Sequence, residues 1–395
     1  MEVRIAPPFR TLAATLIFAV LSTTSFAQKQ PGISDKEVKF GSCSALDGPA
    51  RFLGIQTVLG ATAYLHYINE QGGVHGRKVQ LMAFDDGYDP TKADSCFNRL
   101  KKEEVFAAGF FVGTPTAAKY VPLAQEQKLP VVGLFTGAQI LYVPLKHYII
   151  NVRASYYDET REQVDGLWKI NLHKIGVIYQ DDAFGKAVLD GVKLALDKHE
   201  AKPVALGTFA RNTTSVQSGV AAVRAANPDA VVLVGPYAPV AEILKEAHAS
   251  GWHPLFLTVS FVGTEALIKE AGKDADGIVI TQVVPPPDRT DLPTVKLYRE
   301  CVAKYFPGSD PSYVSLEGFV DAMVAVEGLK RAGAEPTREK FIEGIESIHN
   351  MDLGLGPALK LNYGQEDHKG FKKVYVTVVE GGRPIVMDDW SAVKH

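Results

Sequence analysis

Short apolar runs alternate with longer segments in which apolar residues recur at helical spacing along most of the chain. The short runs predict β-strands, and the longer segments predict amphipathic helices. In the first part of the chain, the predicted strands begin near Glu37, Lys78, Val105, Pro130 and Tyr148. Helices are predicted between them, among them one at 91–102 and one at 117–127. This alternation is typical of a parallel sheet with helices on both faces.

A second set of strands and helices follows residue 157 and shows the same alternation. Its strands are predicted at 174–179, 204–209, 230–234, 255–259 and 277–281, and its helices near 184–199, 215–226, 238–250 and 263–271. The proline-rich stretch 285–288 has the composition of a connecting segment. Beyond it, the pattern predicts three helices and then two paired strands, at 294–305, 313–332, 338–345, 371–379 and 383–386. We therefore expect two α/β lobes with a cleft between them, and such clefts often hold ligands.

Two similar stretches, 105–116 and 130–138, each run from an apolar strand into a turn of small residues. In the first, we predict that Thr114 caps a helix and that Pro115 takes the first helical position. A helix start leaves backbone N–H groups unpaired and carries a partial positive charge, so it can receive a carboxylate. Neighbouring parallel strands would place both turns on one carboxyl edge, where open α/β sheets bind ligands. The alternative is a pair of ordinary turns that bind nothing.

The length and composition narrow the class of protein. A chain of 395 residues suits two lobes better than one domain. A net charge of -3 leaves no basic surplus for phosphates, which argues against nucleic acid as a partner. The 10 histidines lack the spacing of a zinc site, and neither the Gly-x-Ser-x-Gly elbow nor the Gly-x-x-x-x-Gly-Lys-Ser/Thr phosphate loop occurs. We therefore expect no enzymatic activity, no cofactor and no metal site.

The acidic cluster of Asp85, Asp86 and Asp89 has two interpretations. Clustered carboxylates can bind a hard cation such as calcium. The spacing, however, lacks the Asp-x-Asp-x-Asp-Gly pattern of a calcium loop, and the cluster precedes Pro90 as a turn and a helix cap would. We therefore predict a turn and a helix cap here.

The first 27 residues have the features of an export signal. Two arginines precede an apolar core at 12–21, and Ser25 to Ala27 has the small-x-small form of a signal-peptidase site. The apolar core is too short for a membrane anchor, which needs about 20 residues. Cleavage after Ala27 would leave Gln28 at the mature N-terminus, so a lipoprotein anchor is not indicated. We therefore predict a signal peptide at 1–27 and a periplasmic protein.

Export changes the interpretation of the three cysteines. Cys43 ends the first predicted strand, and Cys96 lies in the second predicted helix. An oxidising compartment would allow them to form a disulfide if their Cα atoms approach within roughly 7 Å. The alternative is that they are two small buried residues. Cys301 falls in an amphipathic helix, where we expect it to be part of the core.

Several short motifs, taken together and in this order, resemble those of type I periplasmic binding proteins. They are Asp47-Gly48-Pro49-Ala50, residues 68–77, residues 84–90, Gly113-Thr114-Pro115-Thr116 and residues 179–185. The resemblance covers nearly all of the chain after the signal, and it points to the leucine/isoleucine/valine-binding components of ABC transporters. It implies two Rossmann-like lobes joined by three crossovers near 153, 283 and 358. The lobes would be residues 28–153 with 283–357 (lobe 1), and residues 154–282 with 358–395 (lobe 2).

The resemblance implies a function as well as a fold. Such proteins close around a small-molecule solute by a hinge motion and deliver it to an ABC permease in the inner membrane. It also implies a monomer. The same fold can serve as the periplasmic ligand-sensing subunit of a signalling system, and the sequence does not separate the two roles.

The resemblance further implies which residues hold the solute. In this family, turns of the first lobe hold the carboxylate of an amino acid, and the second lobe supplies aromatic walls and an acid for the ammonium group. The matching residues of lobe 1 are Val112, Gly113, Thr114, Thr136 and Gly137. The matching region of lobe 2 contains Tyr156, Phe184, Tyr237, Ser260 and Gln282.

Ser260 departs from the family pattern, because amino-acid binders of this group tend to carry a glutamate at that position. A buried ammonium group without an acid costs several kcal/mol. Either Asp182 or Asp158 takes the place of that acid and the solute is a branched-chain or other amino acid, or the solute has no amino group. We favour the second alternative, and expect an aliphatic or aromatic carboxylate or an amide-like solute.

Overall fold

The computed structural model describes residues 30–393 of the chain. The predicted signal peptide at 1–27 lies outside this range. Within it, the chain forms a five-stranded sheet, a seven-stranded sheet and a two-stranded ribbon. The two larger sheets are the centres of two α/β lobes, as the hydrophobic pattern predicts. None of the helices in the described range is long and apolar enough to span a membrane.

The first sheet is parallel throughout. Its strands are β1 (Glu37–Ser44), β2 (Lys78–Asp85), β3 (Ala107–Gly109), β4 (Val131–Val132) and β5 (Ile149–Ile150). The α-helices between them are α1 (Arg51–Glu70), α2 (Pro90–Lys102) and α3 (Thr114–Glu126). The strand order is β2-β1-β3-β4-β5. Because β3 and β4 are parallel neighbours, the turns that follow them lie side by side at one edge of the sheet.

The second lobe begins with a helix that the hydrophobic pattern does not predict. This helix, α4 (Tyr156–Lys169), starts with a capping box. The Ser155 hydroxyl accepts a hydrogen bond from the Asp158 N–H, and the Asp158 carboxylate accepts one from the Ser155 N–H. Such reciprocal bonds satisfy groups that a helix start leaves unpaired.

The strand predicted at 371–379 begins four residues later, at Tyr375, whereas the five strands of lobe 2 predicted between 174 and 281 agree with the structure to within two residues. They are β6 (Ile175–Gln180), β7 (Ala205–Phe209), β8 (Ala230–Val234), β9 (Leu255–Thr258) and β10 (Val279–Gln282). The helices that follow β6 to β9 are α5 (Ala183–Asp197), α6 (Gln217–Arg224), α7 (Tyr237–Ala249) and α8 (Thr264–Ala271). Parallel pairing again places the ends of these strands at one edge.

Three further helices return to the first lobe. They are α9 (Pro293–Tyr305), α10 (Tyr313–Ala332) and α11 (Arg338–Glu346). Helix α10 lies along α1, and two glycines permit the close approach. A Cβ atom on Gly60 would lie 1.8 Å from the Ser315 carbonyl oxygen, and one on Gly318 would lie 2.1 Å from the Thr57 carbonyl oxygen.

The end of the chain passes from lobe 1 to lobe 2. A ribbon of β11 (Met351–Asp352) and β12 (Lys360–Leu361) comes first, and then β13 (Tyr375–Glu380) and β14 (Arg383–Val386) extend the second sheet next to β10. Leu359, Tyr363 and Phe371 pack in the core of lobe 1. The lobe boundaries remain a proposal, and this packing moves the last of them from 358 to a point after 371.

Cys43 and Cys96 form a disulfide, with their Cα atoms 6.0 Å apart. The bond joins the end of β1 to α2. The two cysteines are therefore a disulfide and not two separate small buried residues. Cys301 is a free thiol and is buried, as predicted.

The acidic cluster after β2 forms a turn and a helix cap, as predicted. Asp89 caps α2 by accepting a hydrogen bond from the Thr91 N–H at 2.9 Å. Asp86 is buried, and it accepts hydrogen bonds from the Tyr88 N–H at 2.9 Å and from the Tyr120 hydroxyl at 2.5 Å.

Candidate functional site

The turn after β3 leads directly into α3, and a glycine permits its geometry. Gly113 is the N-cap residue with a φ angle of +105°, and a Cβ atom there would lie 2.2 Å from the ring of Tyr88. The prediction that Thr114 caps the helix is wrong, because Thr114 is already its first residue and no side chain caps it. The Thr114 hydroxyl instead lies 2.6 Å from the hydroxyl of Thr136, which follows β4. Both threonines are buried.

A third hydroxyl lies beside this pair. Tyr156 is fully buried, and its hydroxyl makes no well-aligned hydrogen bond with the described residues, although it lies close to the Thr136 hydroxyl. Its N–H donates to the Gly137 carbonyl at 2.8 Å, which joins α4 to the turn after β4. Burial raises the pKa of Tyr156, and the nearby Arg153 and Thr136 oppose that rise. Because buried donors normally have partners, these hydroxyls suit an acceptor such as a carboxylate.

Aromatic rings from both lobes pack around these hydroxyls. Phe261, in the short turn after β9, is central, with its ring centroid 4.4 Å from that of Phe184, 5.5 Å from Phe135 and 5.9 Å from Tyr88. The rings of Tyr156 and Phe184 are 5.5 Å apart. Phe135 and Tyr88 belong to lobe 1, whereas the others belong to lobe 2. The apolar contact is therefore continuous across the cleft.

Hydrogen bonds at the edge of the aromatic group also connect the lobes. The Phe52 N–H of α1 donates to the Tyr237 hydroxyl of α7 at 3.4 Å, and the two rings lie 5.9 Å apart. The Gln180 amide, at the end of β6, donates to the Tyr88 hydroxyl at 3.2 Å. Helices α3 and α5 also lie against each other. These contacts describe a closed cleft.

Ser260 lies at the cleft, but its polar groups bond within the protein. Its N–H donates to Glu159 Oε2 at 2.8 Å, and its hydroxyl donates to Oε1 at 3.0 Å. Arg153 Nη2 also donates to Oε1 at 2.9 Å, and the Thr281 hydroxyl donates to Oε2 at 2.7 Å. Each oxygen of Glu159 therefore already accepts two hydrogen bonds. Burial raises the pKa of this carboxyl, and Arg153 opposes the rise.

Arg153 connects the two lobes at the first crossover. Its Nη2 donates to Glu159 of α4 and contacts Ser260, and its Nη1 donates to Glu317 of α10 at 3.2 Å. These charged side chains are at most 4% exposed. Burial raises the pKa of Glu317 to about 7, although Arg153 acts in the opposite direction. Because this cluster is buried, removing any one of the three charged side chains would leave an uncompensated buried charge.

Asp182, one of the two acids considered for an ammonium group, is already bonded within lobe 2. It caps α5 by accepting hydrogen bonds from the Phe184 N–H at 2.9 Å and the Gly185 N–H at 3.3 Å. The Gln180 amide donates to it at 2.6 Å, and Arg211 lies 3.6 Å away. Burial raises the pKa of Asp182, and these donors oppose that rise.

Asp158, the other such acid, is also bonded. It accepts hydrogen bonds from the Ser155 N–H and hydroxyl, it forms an ion pair with Arg161 at 3.1 Å, and it contacts the ammonium group of Lys369. Burial acts to raise the pKa of Asp158, but Lys369 and Ser155 outweigh it and hold the pKa below its ordinary value. The Asp158 carboxylate therefore bonds to Ser155 at the start of α4 and to Lys369 near the last crossover.

Two predicted site residues lie apart from the hydroxyl group. Val112 is buried and pairs with Phe135 in a parallel bridge beyond the ends of β3 and β4. Gln282 ends β10, and its amide donates to the Thr264 hydroxyl at 2.7 Å. We therefore assign Val112 a supporting position beside the turns, and Gln282 a position within lobe 2.

Comparison with known proteins identifies the family. The sequence profile of the family described as periplasmic binding protein matches residues 37–383. The chain belongs to this periplasmic binding protein family. One relative is the Leu/Ile/Val-binding protein of Escherichia coli (strain K12), which is 23% identical over 342 residues, or 85% of this chain and 89% of that protein.

Solved structures of similar proteins have the same architecture. A possible leucine/isoleucine/valine-binding protein from Rhodopirellula baltica SH 1 is 34% identical, with a TM-score of 0.87, and the match covers 93% of this chain and 100% of that one. A fatty acid ABC transporter substrate-binding protein from Thermomonospora curvata is 25% identical, with a TM-score of 0.83, and the match covers 91% and 93%. The type I periplasmic-binding-protein fold is thus confirmed.

The sequence prediction omits several residues that surround the cleft of this periplasmic binding protein. They are Tyr88, Phe135, Arg153, Glu159 and Phe261. Phe261 directly follows Ser260, and Phe135 directly precedes Thr136, so proximity to predicted site residues is the available signal for them. Glu159 directly follows Asp158, a candidate acid, but the pattern does not predict the helix that turns Glu159 inward.

Proposed function

We propose that this periplasmic binding protein is the solute-binding component of an ABC transporter, and that its solute is a small carboxylate without an α-ammonium group. The observation that carries the proposal is a difference between the hydroxyls and the acids of the cleft. The hydroxyls of Thr114 and Thr136 in lobe 1 and of Tyr156 in lobe 2 lie together, and the last makes no well-aligned hydrogen bond with the described residues. In contrast, the three nearby acids are already bonded within the protein.

The state of these acids argues against an amino-acid solute. The candidate acids that we considered for an ammonium group are Glu159, Asp158 and Asp182. Each of these carboxylates already receives hydrogen bonds from donors of its own lobe or crossover. Burying an ammonium group without an acid costs several kcal/mol. A solute that has only the carboxylate avoids this cost.

The remainder of the solute would meet apolar surface. The rings of Phe135, Tyr156, Phe184 and Phe261 are buried and in mutual contact where the two lobes meet. Such a surface favours an aliphatic or aromatic body. The fatty acid transporter component from Thermomonospora curvata supports a carboxylate without an amino group, whereas the Leu/Ile/Val-binding relatives support the alternative of a branched-chain amino acid.

The role in transport rests on the relatives. Their names are those of binding proteins and transporter components, which favours transport over the sensing alternative. We accordingly propose a permease in the inner membrane as the partner, a periplasmic location reached through the signal peptide at 1–27, and a monomeric protein. None of these steps requires a cofactor.

The proposed mechanism uses the two halves of the site in order. In the open form, the turns that hold Thr114 and Thr136 receive the carboxylate. Closure then brings Phe184 and Phe261 over the solute body and forms the contact between Phe52 and Tyr237. The solute shifts an open–closed equilibrium toward the closed form, because it binds that form more tightly.

A thermal-shift screen tests the proposal. Mature protein would be unfolded, dialysed and refolded to remove bound solute, and then screened with branched-chain amino acids, aromatic and aliphatic monocarboxylates, dicarboxylates and the matching amides. We expect a rise in melting temperature with monocarboxylates by mass action. A response confined to amino acids would overturn the proposed solute class, and conversion of a bound compound to product would overturn the binding role.

A further inference from the structure

One contact between the lobes lies apart from the proposed solute site. Glu265 is in the first turn of α8 in lobe 2, and its Oε1 accepts a hydrogen bond from the Tyr313 N–H at 2.9 Å. Tyr313 is the first residue of α10, which packs along α1 in lobe 1. A carboxylate of one lobe therefore satisfies the helix start of the other.

The start of α10 leaves a place for this carboxylate. Ser312 and Ser315 form a capping box, in which each side chain accepts the other residue's N–H, and the Tyr313 N–H remains for Glu265. A negative charge at the start of this 20-residue helix is favourable. The second oxygen, Oε2, is buried and has no hydrogen-bond partner among the described residues. Burial raises the pKa of Glu265 to about 7, although the Tyr313 N–H opposes the rise.

We propose that Glu265 is a positioning residue for solute capture, whose bond to the first turn of α10 holds the lobes together and makes closure depend on pH. The bond joins residues of different lobes, so hinge opening breaks it and returns the carboxyl to water. The inference rests on the hinge closure of the proposed function, but it does not depend on which solute is bound.

At the contact between α8 and α10, Glu265 is the group that titrates near neutral pH. Tyr298 of α9 and Tyr313 of α10 feel its charge, and burial raises the pKa of both, so both keep their protons in this range. Asp288, before α9, acts on Tyr313. The shift of Glu265 comes from burial, which raises its pKa, and from the backbone N–H groups of Tyr313 and Glu265 itself, which lower it.

The direction of the pH effect follows from proton binding. In the open form, the exposed carboxyl has its ordinary pKa of 4.5, and in the closed form the pKa is about 7. Between pH 4.5 and about pH 7, closure therefore takes up a proton. The closed form is most favoured below pH 4.5, and this advantage is lost as the pH rises through about 7. We expect the ratio of closed to open protein to fall about tenfold or more between about pH 5.5 and about pH 8.

Paramagnetic relaxation enhancement can measure this ratio in the solute-free mature protein. A nitroxide at Lys186→Cys, on the exposed surface of α5, would broaden the amide signals of α3, because these helices lie against each other only when the cleft is closed. Cys301→Ala would remove the free thiol, and the disulfide would remain. We expect stronger broadening at low pH, a weaker pH dependence of the closed fraction in Glu265→Gln, and a small closed fraction at both pH values in Glu265→Ala.

Tyr237→Phe provides the matched control, because it removes a different bond between the lobes. It should lower the closed fraction and preserve the pH dependence. Equal broadening at both pH values in the parent protein would overturn the proposal, and so would an unchanged pH dependence in Glu265→Gln. Since no solute is present, these outcomes stay distinct from a failure of the proposed solute class, which the screen detects.

Discussion

The hydroxyls of Thr114 and Thr136 lie 2.6 Å apart, although 22 positions separate these residues in the sequence. Parallel pairing of β3 and β4 places them together, because each follows the end of its strand. Next to them lies the hydroxyl of Tyr156, which is buried and makes no well-aligned hydrogen bond with residues 30–393. This group of hydroxyls is the part of the cleft that we assign to the carboxylate of the solute.

Replacing either threonine should weaken carboxylate binding. Thr114→Val and Thr136→Val should each reduce the affinity for 4-methylpentanoate by about 1–3 kcal/mol, because each removes one buried hydrogen bond to the solute. Titration calorimetry would measure the change. Thr377→Val is a matched control, since this buried hydroxyl bonds the Ile280 carbonyl within lobe 2. Unchanged affinity in both cleft variants would refute the assignment of the carboxylate site.

Removing Arg153 should destabilise the folded protein. Arg153→Met would leave the buried carboxylates of Glu159 and Glu317 without their cation, so we expect the free energy of unfolding in urea to fall by about 3–5 kcal/mol. The control is Arg289→Met, which breaks an exposed ion pair with Asp291 and should change stability by at most about 1 kcal/mol. Equal losses in the two variants would contradict the structural role of the buried cluster.

Asp86 should make stability fall as pH rises. Burial raises its pKa from 3.8 to about 6 in the folded protein, while hydrogen bonds from Tyr120 and Tyr88 oppose the rise. The folded state therefore binds this proton more tightly, and the resulting stabilisation, complete below 3.8, is lost as pH rises through 6. Between about pH 4 and pH 7, Asp86→Asn should gain up to about 3 kcal/mol in unfolding free energy relative to the parent protein.

Asp89→Asn is the control of opposite sign. Hydrogen bonds from Thr91 lower the pKa of Asp89 in the folded state, so its contribution is present above 3.8 and is lost as pH falls. Denaturant unfolding of both variants at several pH values would therefore give slopes of opposite sign relative to the parent. Parallel pH profiles for Asp86→Asn and the parent protein would contradict the account of Asp86.

The disulfide should contribute substantially to stability. It links residues 53 positions apart, and such a crosslink restricts the unfolded chain. The double variant Cys43→Ala with Cys96→Ala should lose about 2–4 kcal/mol of unfolding free energy. Reduction of the parent protein should reproduce this loss, and the reductant should leave the double variant unchanged. A parent protein whose urea transition is insensitive to reductant would count against the bond.

The sequence predicts the elements of the fold better than their contacts. The strand 230–234 is predicted correctly because it is a continuous apolar run, and such a run is typical of a buried parallel strand. Helix α4 escapes prediction because residues 158–163 are all polar and interrupt its apolar stripe, although Ser155 and Asp158 form a capping box that marks a helix start. The start of α3 is misplaced because Gly113, and not Thr114, takes the cap position.

In the site, too, local features can be predicted from the sequence, but contacts between distant residues cannot. The turns with Thr114 and Thr136 can be predicted, since a strand end and a small residue are both local features. The contact of Phe261 with Phe135 joins different lobes, and no local pattern encodes it. Ser260 and Glu159 are likewise 101 positions apart in the sequence. The sequence therefore shows that Ser260 stands where the family tends to have a glutamate, but it does not show that Glu159 bonds Ser260.

The most direct test compares solutes that differ only in the ammonium group. Titration calorimetry of the refolded mature protein would compare leucine with 4-methylpentanoate, and phenylalanine with 3-phenylpropanoate. Because Glu159, Asp158 and Asp182 are already bonded within the protein, at least one desamino acid should bind about 100-fold or more tightly than its amino acid. Amino acids that bind as tightly as their desamino partners, or more tightly, would contradict the proposed solute class.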